Sequence, residues 1–103
     1  MDKLAGLKEI LTQDPNNTFA RYGLAMELAS RGQTDESLAE FETLIKANPD
    51  YTAAYFMSAQ TMANVGRTID AIARLKLGLD SARRTGNQHA LSEMQTMLDE
   101  LDR

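Results

Sequence analysis

Hydrophobic residues along the chain recur with the spacing of helices rather than with the alternation of strands. In the first segment they fall at i, i+3, i+6 and i+7 and so share one helix face: Leu4, Leu7, Ile10 and Leu11. Later segments carry similar stripes, and none alternates hydrophobic and polar residues over a useful length. The pattern predicts an all-α protein of about six helices without strands.

Turn-forming residues separate the predicted helices. The pairs Asp14-Pro15 and Asn48-Pro49 each end a helix, because a residue before proline is disfavoured in helical conformation. Glycines that can adopt the left-handed conformation end three others: Gly32, Gly66 and Gly86. We expect N-caps at three places: Thr34, Thr68 and Asn87. The loops are short, which favours antiparallel neighbours.

These turn signals repeat at a fixed interval of 34 residues. Pro15 recurs as Pro49 at this offset, and Gly32 recurs as Gly66. Four alanines also recur: Ala20, Ala25, Ala29 and Ala39 as Ala54, Ala59, Ala63 and Ala73. A period of this length indicates a stack of one small helical unit, and such stacks generally bind other proteins.

The 34-residue unit resembles the tetratricopeptide repeat, whose pattern is Trp-x2-Leu-Gly-x2-Tyr, then Ala-x3-Phe, then Pro. Arg21 departs from this pattern, because it stands where the family has an aromatic residue. The places that fit are Leu24, Phe41 and Pro49 in the first repeat, and Tyr55 and Ala71 in the second. The resemblance implies antiparallel helix-turn-helix units stacked as a short right-handed superhelix.

The resemblance divides the chain into four parts of one domain. A half-repeat helix covers residues 2–13, repeat 1 covers 16–49, repeat 2 covers 50–84, and a capping helix covers 88–101. The fifth helix should bury a stripe of five residues: Ile69, Ile72, Leu75, Leu79 and Ala82. The sixth should bury Leu91, Met94, Leu98 and Leu101. Gly78 is expected to allow close packing against the sixth helix.

The resemblance also implies a binding face, because the first helix of each unit in this family lines a concave surface that takes a peptide. The positions carried over to this chain are Phe19, Tyr22, Met26, Ser30, Phe56, Gln60 and Asn64. Aromatic and methionine side chains suit an adaptable apolar peptide site. The alternative is that they belong to the core. The Lys, Asn and Arg clamp with which some members bind chaperone carboxyl tails is absent from these positions.

Charge is distributed unevenly along the chain. The net charge of −4 argues against nucleic-acid binding, which usually requires a basic excess. Residues 51–86 nevertheless carry a net +3, and residues 87–103 a net −3. The basic segment could bind an acidic partner. The i, i+4 pairs Asp70–Arg74 and Asp80–Arg84 instead favour a solvated face with local ion pairs.

Catalytic and metal-binding chemistry finds little support in the sequence. The chain has no cysteine, and its single histidine, His89, lies at a predicted helix start without converging partners. We therefore predict a surface histidine, no catalytic residues, no metal and no cofactor.

No apolar stretch approaches the roughly 20 residues that span a bilayer, and the charged N-terminus does not resemble a secretory signal. We expect a cytoplasmic protein that does not bind membranes.

The sequence thus predicts a non-catalytic adaptor that binds a peptide or helix of a partner protein. The alternative is a structural module that forms a weak homo-oligomer through its terminal helices. Two repeats are fewer than the three or more that a stable stack usually needs, and self-association would supply the missing burial.

Overall fold

The structure, a computed structural model, describes residues 2–103, which form six α-helices and no strands. The helices are α1 (Lys3–Gln13), α2 (Thr18–Ser30), α3 (Thr34–Ala47), α4 (Thr52–Asn64), α5 (Thr68–Thr85) and α6 (Gln88–Leu101). The predicted all-α class and the number of helices are confirmed. The chain divides into two compact units, the first ending at Asn48 and the second running from Pro49 to Arg103.

The helices end where the turn residues predict. Helix α1 ends at Gln13 and α3 at Ala47, each one residue before the residue that precedes proline. The three predicted glycines follow α2, α4 and α5 with positive φ angles: Gly32 at 77°, Gly66 at 82° and Gly86 at 67°. A side chain on Cβ disfavours this left-handed conformation, so glycine is the suitable residue at these three stops.

The helix starts agree less well with the sequence. Asn87 caps α6 as predicted, because its side chain accepts a hydrogen bond from the backbone N–H three residues on, at 3.0 Å. Thr34 and Thr68 are not caps but the first residues of α3 and α5, and Gln33 and Arg67 hold the cap positions without a side-chain cap hydrogen bond. Both helices therefore begin one residue earlier than expected.

The first unit is built around the contact between α2 and α3. Its most buried large residues are Leu24, Leu28, Phe41 and Leu44. Ser37 is also fully buried, and its hydroxyl donates a hydrogen bond of 2.7 Å to the carbonyl of Ala25. Helix α1 packs on α2 but has no buried residue, and Ile10 of its predicted stripe is 45 % exposed.

The second unit packs α4, α5 and α6 together. Its buried residues include Tyr55, Leu75, Leu79, Met94 and Leu98. Gly78 lies where a Cβ atom would come within 2.5 Å of Met94 Sδ and 2.7 Å of Tyr55 Cβ, so the prediction of close packing at this glycine is confirmed.

The prediction that Ile69 is buried is wrong, because its side chain is 84 % exposed. At about 100° per residue, Ile69 lies about 120° around the helix from Leu75, the centre of the buried face. That face instead uses three small residues missing from the predicted stripe, Ala71, Gly78 and Ser81.

Candidate functional site

Helices α4 and α6 of the second unit form a groove with a volume of about 450 Å³, which we call the α4–α6 groove. Helix α4 contributes Phe56, Gln60 and Asn64. Helix α6 contributes His89, Ser92, Glu93, Thr96, Met97 and Glu100. Three of the seven site residues predicted from the sequence therefore line one groove.

The α4 wall follows from the spacing of its residues. Phe56, Gln60 and Asn64 lie at i, i+4 and i+8, which places them on one face of the helix. The opposite face is held in the core by Tyr55 and Ala59. Phe56 is half-buried, whereas the two amides are exposed and form no hydrogen bond with any residue of 2–103. The wall thus combines an anchored aromatic ring with two free amides.

The α6 wall is positioned by the core on its other side. Met94 and Leu98 are buried against the unit, so the face opposite them is turned outward. On that face His89 Nε2 lies 2.9 Å from Glu93 Oε1, and the His89 side chain is 86 % exposed. Glu100 forms no hydrogen bond or ion pair within residues 2–103.

The basic residues of α5 make other contacts. Arg74 is half-buried, and burial lowers the pKa of its guanidinium, which donates a 3.2 Å hydrogen bond to the Ser58 hydroxyl. The predicted Asp80–Arg84 pair is wrong. Asp80 pairs with Arg83 at 3.2 Å, while Arg84 reaches Asp50 at 2.8 Å. The hydrogen bond to Asp50 raises the pKa of Arg84 above its ordinary value.

The other predicted site residues lie along α2 in the first unit. Phe19 is 80 % exposed, Ser30 is exposed, and Tyr22 and Met26 are partly buried. The ring of Tyr22 meets Phe41 edge-on, with ring centroids 6.3 Å apart. A cavity of about 450 Å³ in this unit is lined by none of these four residues. Its lining comes from the turn after α1, the first turn of α2 and the end of α3.

Sequence reasoning missed the α6 wall. The sequence predicted a surface histidine at His89 and gave this helix no role beyond that of a cap. The signal was present, because His89, Glu93, Met97 and Glu100 lie at i, i+4, i+8 and i+11 and so share one helix face. What the sequence did not specify was that this face lies beside α4.

The groove offers an aromatic ring, a thioether, free amides and carboxylates, a set suited to noncovalent binding. Within residues 2–103 there is no group of three or more His, Cys, Asp or Glu side chains that could hold a metal ion. No helix in the described part of the chain is long and apolar enough to cross a membrane.

Several solved structures are similar to this chain. One is a solution structure of a tetratricopeptide repeat domain protein from Salinibacter ruber, which is 35 % identical in sequence and has a TM-score of 0.80. The match covers 85 % of this chain and 89 % of that protein's chain. A crystal structure of a tetratricopeptide repeat domain protein from the same organism is 34 % identical, covers 84 % of this chain and 97 % of its own, and has a TM-score of 0.76.

The TPR2B domain of yeast Sti1, solved as a complex with pHsp70, has a TM-score of 0.88. The match covers 96 % of this chain and 79 % of the Sti1 chain. At 17 % sequence identity, it shows only that the two proteins share a fold. No protein-family model matches the chain, and no curated protein matches it significantly.

Proposed function

We propose that this chain, which belongs to the tetratricopeptide repeat family, is a non-catalytic adaptor that binds a peptide or a helix of a partner protein. The observation that carries the proposal is the α4–α6 groove, lined by Phe56, Gln60 and Asn64. These are the residues that the family resemblance assigns to the binding face of the second repeat.

The groove has the size and chemistry for a short polypeptide segment. Its volume of about 450 Å³ falls within the range of about 300–1,000 Å³ typical of ligand pockets. Phe56 and Met97 provide apolar contact for a side chain of the partner. The amides of Gln60 and Asn64 each present donors and an acceptor, so they can pair with the N–H and C=O groups of a peptide backbone. The complex of the Sti1 domain with pHsp70 supports a protein partner for this fold.

We extend the proposed binding function to the face of α2 formed by Phe19, Tyr22, Met26 and Ser30. Phe19 is 80 % exposed, and an aromatic ring contributes a large contact area when a partner covers it. Met26 adds an adaptable apolar surface beside it. The two faces belong to different compact units, and each can be tested by its own substitution.

Peptide selection with matched variants tests the proposal. Random short peptides displayed on phage are selected on the full chain, and their affinities are measured by fluorescence anisotropy. We expect Phe56→Ala to weaken binding about tenfold or more, the loss typical of an aromatic anchor in an interface. Ile69→Ala is the control, because Ile69 is apolar and 84 % exposed but does not line the groove.

Two results would contradict the proposal. One is a chain that selects no peptides. The other is a folded Phe56→Ala variant, confirmed by circular dichroism, that binds the selected peptides as tightly as Ile69→Ala does. Gln60→Ala provides a second test of the groove that removes no apolar contact from the core, because Gln60 is exposed.

A second candidate function is self-association through the terminal helices. It is favoured by α1, which has no buried residue and leaves Ile10 45 % exposed. Sedimentation velocity across a dilution series should then show a dimer that Ile10→Lys abolishes. A monomer at all concentrations would refute this role.

A further inference from the structure

The charged side chains that line the α4–α6 groove are acidic, apart from His89. They are Glu93 and Glu100, and the lining residues include no lysine or arginine. The segment that contains α6 is also negatively charged overall, because residues 87–103 contain four acids and one base. The groove therefore presents negative charge to whatever occupies it.

Neither carboxylate is neutralised by a fixed cation. Glu100 has no hydrogen-bond or ion-pair partner within residues 2–103. Within the same range, Glu93 pairs only with the imidazole of His89, which is charged only if protonated, and the Glu93 side chain remains 45 % exposed. Both carboxylates are therefore available to a cationic partner. A neutral or acidic segment in the groove would desolvate them without providing a counter-charge, which is unfavourable.

The same groove also has apolar lining residues, Phe56 and Met97. Phe56 lines the groove, and an arginine or lysine over the face of its ring would gain a cation–π attraction as well as an ion pair. We propose that the α4–α6 groove selects a basic segment, in which lysine or arginine side chains flank an apolar anchor that contacts Phe56 and Met97. This inference rests on the proposed peptide-binding function and specifies the chemistry of the partner.

The positions of the carboxylates also set a spacing. Glu93 and Glu100 are two helical turns apart, or about 10 Å along α6. With three residues per turn and about 3.1 Å per residue, a peptide in polyproline II conformation places residues i and i+3 on one face at about that distance. A helical peptide spans it between residues i and i+7 on one face. We therefore expect the selected segments to carry two basic residues at one of these spacings.

The test uses the phage-selected peptides and two double variants of the protein that carry the same net charge as each other. Glu93→Gln combined with Glu100→Gln removes two negative charges from the groove. Asp99→Asn combined with Asp102→Asn removes two negative charges from α6 and from the residue that follows it, at positions that do not line the groove. We expect an excess of lysine and arginine among the selected peptides. At low salt the groove variant should bind them about fivefold more weakly, the combined effect of two exposed ion pairs.

Three further measurements sharpen the comparison. The control variant should bind within about twofold of the wild type, because charges outside the groove act only through screened, longer-range attraction. Binding to the wild type should weaken as salt is raised. Replacing the peptide's lysines by glutamine should weaken binding to wild-type protein as well, and this test does not depend on any protein variant folding.

The outcomes separate this inference from the proposed function. Selected peptides that require Phe56 but show no basic excess, or that bind the groove variant as tightly as the control, would overturn the inference and leave peptide binding intact. Failure to select peptides, or binding independent of Phe56, would refute the proposed function together with the inference. Basic peptides that lose affinity with Phe56→Ala and with the groove variant, but not with the Asp99 and Asp102 control, would support both.

Discussion

Gly78, in the interior of α5, provides a quantitative test of the packing in the second unit. We predict that Gly78→Ala lowers the free energy of unfolding. The new Cβ would lie 2.5 Å from Met94 Sδ and 2.7 Å from Tyr55 Cβ. The Met94 thioether can move by rotating its side chain, but Tyr55 Cβ is bonded directly to the backbone of α4. Relief of that overlap therefore requires α4 and α5 to separate.

The expected magnitude is the difference between two opposing effects. Alanine is favoured over glycine inside a helix by about 1 kcal/mol. Overpacking a well-filled core costs about 1–3 kcal/mol. Because the contact with Tyr55 involves an atom that cannot rotate away, we expect the packing cost to exceed the helix preference. The net loss should be about 1 kcal/mol, which for a domain of this size lowers Tm by about 4–8 °C.

Gly23→Ala in α2 is the matched control. Its Cβ would lie 3.2 Å from Leu7 Cδ2, the end of a flexible side chain that can adjust. This variant should keep most of the gain in helix preference and be as stable as the wild type or slightly more stable. Urea unfolding followed by circular dichroism measures both variants. The packing argument is refuted if Gly78→Ala has a urea midpoint equal to or above that of the wild type.

Three further predictions concern single polar contacts. Ser37→Ala leaves the buried carbonyl of Ala25 without its 2.7 Å hydrogen bond and should cost about 1 kcal/mol in urea unfolding. Asn87→Ala removes the α6 cap, should also cost about 1 kcal/mol, and should speed amide hydrogen exchange in the first turn of α6. The hydrogen bond from Arg31 lowers the pKa of the Asp2 carboxyl below its ordinary value of 3.8, so the pair stabilises the fold above that pH and ceases to do so as acid protonates Asp2. Asp2→Asn should therefore lower Tm at neutral pH, and this difference from the wild type should shrink as the pH falls below 3.8.

The helix ends could be predicted from the sequence because they depend on local backbone chemistry. A glycine such as Gly66 adopts the left-handed conformation wherever it follows a helix, and its φ of 82° needs no tertiary contact to explain it. A residue before proline is likewise excluded from helical conformation by its immediate neighbour. The 34-residue offset then predicted the same stops in both repeats.

Features that depend on the direction of each helix face were harder to predict. Ile69 fits a loosely drawn apolar stripe, but its angle around α5 places it in solvent. The acidic wall of the α4–α6 groove looks like an ordinary solvated face until α6 is packed on its neighbours. That orientation depends on Met94 meeting Gly78, a contact between residues on different helices. Sequence periodicity indicates that a helix has two faces but not which element lies beside the polar one.

The departure from the repeat pattern at Arg21 shows what is retained between the two repeats. Arg21 and Tyr55 are 34 residues apart, and each donates a hydrogen bond to a proline carbonyl at the same offset. Arg21 Nη2 lies 3.0 Å from the oxygen of Pro15, and the Tyr55 hydroxyl lies 2.6 Å from that of Pro49. A carbonyl in the turn before a helix lacks a partner in the helix itself, so a side chain that reaches back can satisfy it. Both the guanidinium and the phenol have the necessary reach and an N–H or O–H to donate. The position therefore requires a long hydrogen-bond donor rather than an aromatic ring, which explains how the fold is kept although the motif residue is not.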